Sequence, residues 1–340
     1  MRIFSGIQPT GEKHLGNYIG AIRQYVSTQE QGDAFFCIVD LHSITVGYDP
    51  DDLRESTLSL AALLFAAGLD PERCTLFVQS HVPAHPEAAW LLGSVTSFGE
   101  LRRMVQFKEK AEQQEFVSAG LFTYPVLQAA DILLYRTDIV PIGEDQRQHI
   151  ELSRGIAERF NSRFGETFSV PKAVFPEVGA RVMDLQEPEN KMSTTGGTAQ
   201  GTVLVLDPPD VIRKKVKSAV TDSGRDVVRA TDKPGMSNLI EIMAVATGEP
   251  PDTIEQRYDG QGYGRFKEDV ADAVVELVAP IQRRYEELRS DRVELQRLLA
   301  VGAEKARKES EPTLERMYEV MGFVKPLNGR NFGAARPRGL

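Results

Sequence analysis

Short apolar runs alternate with helical patterns through the first half of the chain. Residues 2–7 form an apolar run broken by glycine near its end and read as a strand. From about 16 to 29, Ile19, Ile22, Tyr25 and Val26 recur at helical spacing and share a face. The continuous apolar run over 34–40 suits a strand covered on both faces. A helix is predicted over about 50–68, with Asp51 and Asp52 in its first turn and glycine at its end. Residues 75–79 read as a third strand, and 138–143 as a fourth, where Pro141 marks a strand end. Helical segments near 86–98, 100–115, 126–136 and 145–164 separate these runs. Such alternation predicts a parallel α/β sheet with right-handed crossovers.

The pattern changes near residue 165. Residues 166–210 hold several Pro and Gly with little long periodicity, which predicts loops and one or two short strands. Beyond that the chain reads as helix over 208–219, 236–247, 250–258, 264–288, 290–308 and 311–322. The expected organisation is an α/β domain over 1–185, a loop over 186–200, an all-helical C-terminal domain over 201–324 and a disordered tail over 325–340.

Composition narrows the class. The 340 residues are 41% hydrophobic and 26% charged, enough for a core without disulfide or metal staples. Forty Lys+Arg against 49 Asp+Glu leave −9, which argues against a surface that coats nucleic acid or anionic membrane indiscriminately. Cys37 and Cys74 lie in strand-like runs and read as reduced core thiols rather than a disulfide framework or thiolate metal site. The longest apolar-rich stretch, 58–69, is shorter than the roughly 20 residues a membrane span needs. With no secretory signal, the expected location is cytoplasmic.

Ligands of parallel α/β sheets bind beyond the carboxyl ends of strands, so four segments carry the candidate chemistry. After the first strand come Gly6-Ile7-Gln8-Pro9-Thr10-Gly11 and His14-Leu15-Gly16-Asn17, a glycine turn and helix start suited to phosphate. No Walker A pattern occurs. Asp40-Leu41-His42 caps the second strand, and His42 reads as a pocket residue or a hydrogen-bonded structural one. Gln128 and Asp131 share a face of an otherwise apolar helix, where a buried acid needs a donor. Gly143-Glu144-Asp145-Gln146 follows the fourth strand, with Asp145 a site residue or a helix N-cap. Finally, Lys191-Met192-Ser193-Thr194-Thr195-Gly196-Gly197 combines a lysine, hydroxyls and glycines in a loop able to hold polyphosphate charge.

In this order the segments resemble the class I aminoacyl-tRNA synthetases, and among them the tryptophanyl-tRNA synthetase family. His14-Leu15-Gly16-Asn17 sits where the class has H-I-G-H, and Lys191-Met192-Ser193-Thr194-Thr195 where it has K-M-S-K-S. The resemblance runs from Ile3 to about Phe323. It implies a Rossmann-like catalytic domain, a two-step reaction through an aminoacyl-adenylate, Mg2+ brought with ATP and no protein-bound metal. It also implies tRNA(Trp) as acceptor and a homodimer.

The resemblance further assigns residues. His14, Asn17, Lys110, Lys191, Ser193, Thr194 and Thr195 are the catalytic set. ATP falls to Gln8, Pro9, Thr10, Gly16, Asn17, Gly143, Glu144, Asp145, Val182 and the segment from Lys191 through Met192 to Thr195. Asp131 becomes the acceptor for the indole N–H, since indole is a donor only. Phe4, Val140 and Ile142 would wall the ring, Gln8, Tyr124 and Gln146 would hold the ammonium and carboxylate, and His42 and Gln128 would line the pocket. Thr194 departs from the family pattern by replacing the second lysine, which leaves more of the charge to Lys191 and Lys110.

The neighbouring readings are a tyrosyl-tRNA synthetase, a non-catalytic paralogue and a small-molecule adenylyltransferase. Local basic clusters at Arg213, Lys214, Lys215 and Lys217 and at Arg283, Arg284 and Arg289 suit phosphate contacts or solvated faces.

Overall fold

The computed structural model describes residues 1–112, 114–175, 181–194 and 196–325. Expectations for Thr195, for the side chain of Lys110 and for the tail beyond Lys325 lie outside the described residues. Among the described residues, five strands form one parallel sheet: β1 (Arg2–Ile7), β2 (Asp33–Ile38), β3 (Thr75–Val78), β4 (Ile139–Pro141) and β5 (Lys172–Val174), in the order β3-β2-β1-β4-β5. The order reverses between β1 and β4, which places a crevice at their carboxyl ends.

Both faces of the sheet are covered, because strand residues alternate in direction and both sets are apolar. Ile3, Phe36, Ile38, Leu76 and Val78 point to one core, shared with Leu60 and Leu64 of the helix Pro50–Ala66. Phe4, Phe35, Cys37 and Phe77 point to the other, shared with Leu92, Ala129, Leu133 and Phe160. Cys37 and Cys74 are buried and unpaired, and burial raises both thiols, Cys74 to about 12. The helix Pro50–Ala66 begins where Asp49 accepts from the amides of Asp51 (2.8 Å) and Asp52 (3.1 Å).

The helical C-terminal part shares both cores rather than folding on its own. Met236, Leu239, Phe266 and Val274 join the first. Ala303, Ala306, Leu314 and Met317 of the helix Arg292–Val320 join the second. That helix runs unbroken through 309–310, where the sequence pattern predicts a break just ahead of Pro312. Proline removes one hydrogen bond, but Ser310, Thr313 and Leu314 are buried around it, so packing outweighs the local cost. Pro125 lies likewise inside the helix Ala119–Leu133, which starts seven residues before the expected 126 because Ser118 Oγ caps the amide of Leu121 at 3.0 Å.

The helix Arg292–Val320 approaches β3 at Gly302. A Cβ there would lie 1.8 Å from the carbonyl oxygen of Leu76, so backbone meets backbone.

The basic clusters are largely spent within the chain. Arg213 pairs with Asp272 (2.8 Å), Lys215 with Asp207 (2.7 Å) and Lys217 with Glu268 (2.9 Å). Arg284 pairs with Glu287 at 2.8 Å, and Arg289 with Glu55. No helix among the described residues is long and apolar enough to cross a membrane.

Candidate active site

A cavity of about 640 Å³ opens at the switch point between β1 and β4. Phe4, Gln8, Thr10, Asn17, His42, Tyr124, Gln128, Asp131, Val140, Ile142, Gly143, Asp145 and Gln146 line it, so the segments singled out at strand ends converge. Tyr25, Gln106 and Glu109 also line it and carry no motif in the sequence.

The turn after β1 does not start a regular helix. Leu15–Asn17 is one turn, followed by a π-turn over Tyr18–Ile22 and a helix over Arg23–Thr28. His14 caps it: Nδ1 accepts from the Asn17 amide at 3.2 Å, while the His14 amide donates to Asn17 Oδ1 at 3.1 Å. The side-chain Nδ2 of Asn17 and, in the neutral ring, His14 Nε2–H are then the donors this pair presents. Burial lowers the His14 pKa to about 4, helped by Lys13. The ring therefore stays neutral from its ordinary value of 6.5 down to about 4. Its contribution to stability is complete above the unfolded value and is lost as pH falls towards about 4. NMR titration of the ring should show no protonation step near 6.5; a midpoint there would contradict the buried cap.

Gly16 is required by its neighbours. A Cβ would meet His14 Nδ1 at 3.0 Å and Val182 at 3.5 Å. The K-M-S-T segment packs against this turn. Met192 N donates to Val182 O at 3.2 Å, and the Thr194 hydroxyl lies 3.5 Å from where a Cβ of Gly11 would stand. His14, Gly16, Val182, Met192 and Thr194 therefore flank the cavity instead of lining it, and Lys191 is exposed.

Asp184, which no motif flags, ties the loop at both ends. Its buried carboxylate accepts from the amides of Gln186 (2.8 Å), Glu187 (3.1 Å) and Thr198 (2.8 Å), and from the Thr198 hydroxyl (3.0 Å). Ser193 Oγ accepts from the Gly196 amide at 3.2 Å.

After β4, Asp145 is no helix cap. Its carboxylate accepts from Gln146 Nε2 (2.8 Å) and Gln106 Nε2 (3.3 Å), and it folds over Gly143, where a Cβ would lie 2.7 Å from Asp145 Oδ1. Gln128 Nε2 donates to Gln146 Oε1 at 3.3 Å. Glu144 is exposed and pairs with Arg147 through two contacts of 2.7 and 2.9 Å, while Pro9 is buried.

Asp131 sits at the closed end, 1% exposed. Oδ2 contacts His42 Nε2 at 2.9 Å; Oδ1 contacts His85 Nδ1 and Gln79 Nε2, both at 2.6 Å. Burial raises its pKa, but the hydrogen bonds from both imidazoles prevail and hold it at about 2. The carboxylate is thus ionised at any working pH, and this stabilisation, present above the ordinary 3.8, is lost as pH falls through about 2. His42 meets Tyr124 edge-on at 6.3 Å, and the Tyr124 hydroxyl contacts His149 Nε2 at 2.9 Å.

A family model described as tRNA synthetases class I (W and Y) matches residues 1–279. The chain is 54% identical over 328 residues to tryptophan–tRNA ligase 2 of Streptomyces avermitilis, covering 95% of this chain and 97% of that one. It is 51% identical to the tryptophan–tRNA ligase of Mycobacterium leprae, covering 95% and 96%. Among solved structures it resembles the Campylobacter jejuni tryptophanyl-tRNA synthetase complexed with ADP and tryptophan, with a TM-score of 0.84, 34% identity and coverage of 95% and 100%.

Proposed function

The chain belongs to the class I tRNA synthetases (W and Y), and from that premise we infer that it is a tryptophan–tRNA ligase. One observation carries the choice of amino acid: a buried carboxylate, Asp131, lines the same cavity as Phe4, Val140 and Ile142. The indole N–H is a donor only and a carboxylate an acceptor only, whereas the phenol of tyrosine would also bring an acceptor oxygen that a carboxylate cannot satisfy.

The first step joins the tryptophan carboxylate to the α-phosphorus of ATP and releases pyrophosphate. The second passes the acyl group to the 3′-terminal adenosine of tRNA(Trp) and releases AMP. Phe4, Val140 and Ile142 flank the indole, and His42 and Gln128 complete its pocket. Gln8, Tyr124 and Gln146 hold the ammonium and carboxylate. Gly143, Glu144 and Asp145 serve the ribose; Gly16, Val182 and Met192 serve the base; Pro9 and Thr10 shape the turn beneath the phosphates. His14 and Asn17 donate to phosphate oxygens, as their shared cap leaves them free to do. Lys191, Lys110, Ser193, Thr194 and Thr195 supply positive charge and hydroxyls to the pyrophosphate. Displacement at phosphorus needs positioning and charge stabilisation more than covalent help, which suits this inventory.

Mg2+ arrives on the ATP phosphates. Bound there, it would offset the negative charge of the phosphates.

Residues 1–185 form the catalytic part, 186–200 the loop and 201–324 the helical part that meets the anticodon side of the tRNA. The protein acts in the cytoplasm as a homodimer. In favour of the dimer, Trp90 (84% exposed), Phe98 (68%) and Phe116 (80%) leave large aromatic rings in solvent.

Pyrophosphate exchange into ATP tests the assignment. Exchange should depend on tryptophan and be absent with tyrosine. Exchange with tyrosine, or with neither, would sink it.

A further inference from the structure

Asp131 is held from behind by groups that do not reach the cavity. His85 and Gln79 are each 0% exposed, and neither lines the cavity, whereas Asp131 and His42 do. Their direction is fixed by further partners. Gln79 Oε1 accepts from the Leu41 amide at 3.1 Å, so its Nε2 is the donor to Asp131 Oδ1. His85 Nε2 contacts the hydroxyl of buried Tyr135 at 2.8 Å.

A carboxylate offers about four acceptor positions, two on each oxygen. On Oδ1 both are taken, by Gln79 and His85. On Oδ2, among the described residues, His42 takes one. A cavity ligand can therefore reach Asp131 only through the remaining position on Oδ2, beside His42.

We propose that His85 is a positioning residue for amino-acid selection: by donating from Nδ1 to Oδ1 it turns Asp131 so that Oδ2 alone faces the indole N–H. This rests on Asp131 as the indole acceptor. His85 touches no substrate; it acts through Asp131. Its neutral form then carries the proton on Nδ1 and accepts from Tyr135.

Two substitutions separate positioning from bulk. Asparagine reproduces a donor near Nδ1; glutamine reaches Nε2 and loses that donor. The readout is the preference, in kcat/KM of pyrophosphate exchange, for tryptophan over benzothienylalanine, in which sulfur replaces the indole N–H. His85→Gln should lower the preference about 10- to 100-fold, with the KM for ATP within about twofold of the parent. His85→Asn should keep most of the preference. Equal effects of the two substitutions, or no effect of His85→Gln, would overturn the role. Nitrogen-detected NMR of the unsubstituted protein gives a second reading: a proton on Nδ1 of His85 supports the proposal, and a bare Nδ1 refutes it. Asp131→Ala in the same assay guards the premise. If it leaves the preference intact, the indole reading fails; if it abolishes the preference while His85→Gln does not, only the role of His85 fails.

Discussion

Replacing Asp131 with alanine will raise the KM for tryptophan by about a hundredfold or more while leaving the KM for ATP nearly unchanged. The lost contact is a charge-assisted hydrogen bond inside a buried pocket, worth about 1.5–3 kcal/mol, or roughly 10- to 150-fold. The substitution also strands the buried donors of His42, His85 and Gln79, which had shared that carboxylate. Those donors will rearrange into the cavity, adding to the loss. Sites built around a polar group lose the most when its partner is removed. The ATP side is spared because the phosphate-facing residues, His14, Asn17 and Lys191, lie on other segments. Pyrophosphate exchange at varied tryptophan and at varied ATP checks this. Equal rises for both substrates would remove Asp131 from the indole site.

The largest effect on stability is expected at Gly302→Val. The added Cβ would stand 1.8 Å from the Leu76 carbonyl oxygen, an atom of β3 that cannot swing aside. Either the helix Arg292–Val320 lifts off the sheet or β3 shifts, and both loosen the core around Ala303, Ala306 and Leu314. Overpacking of this kind costs about 3 kcal/mol or more. A urea titration should show a clearly lower midpoint; a midpoint equal to the parent would mean the helix does not seat against β3 as described.

Much of this was legible in the residues, and the failures share a cause. The run at 34–40 is apolar on both sides, a pattern that suits a doubly covered strand. The exposed turn signals near Gly6 and Gly143 marked the strand ends where the cavity lies. Asp131 was visible because an acid amid Leu, Ala and Ile demands a partner. The partners were not visible. His85 and Gln79 stand 46 and 52 residues away from Asp131, in segments with no motif of their own. The one available signal was that Gln79 directly follows β3, at a carboxyl end. The helices through Pro125 and Pro312 were misjudged for a related reason. Local rules count the hydrogen bond proline removes, whereas burial on both sides of it is a property of the tertiary structure.

The contact of the helix Arg292–Val320 with β3 also bears on the order in which the protein is made. Arg2, on the first strand, pairs with Glu309, and Arg307 donates to the His81 carbonyl at 2.6 Å and 3.0 Å. A ribosome releases β1, β2 and β3 long before it releases the helix that covers one of their faces. Until the helix Arg292–Val320 emerges, Phe35, Phe77 and their neighbours lack Ala303, Ala306, Leu314 and Met317. The nascent chain thus carries an unfinished sheet until the helix Arg292–Val320 arrives, and only then does the second core close.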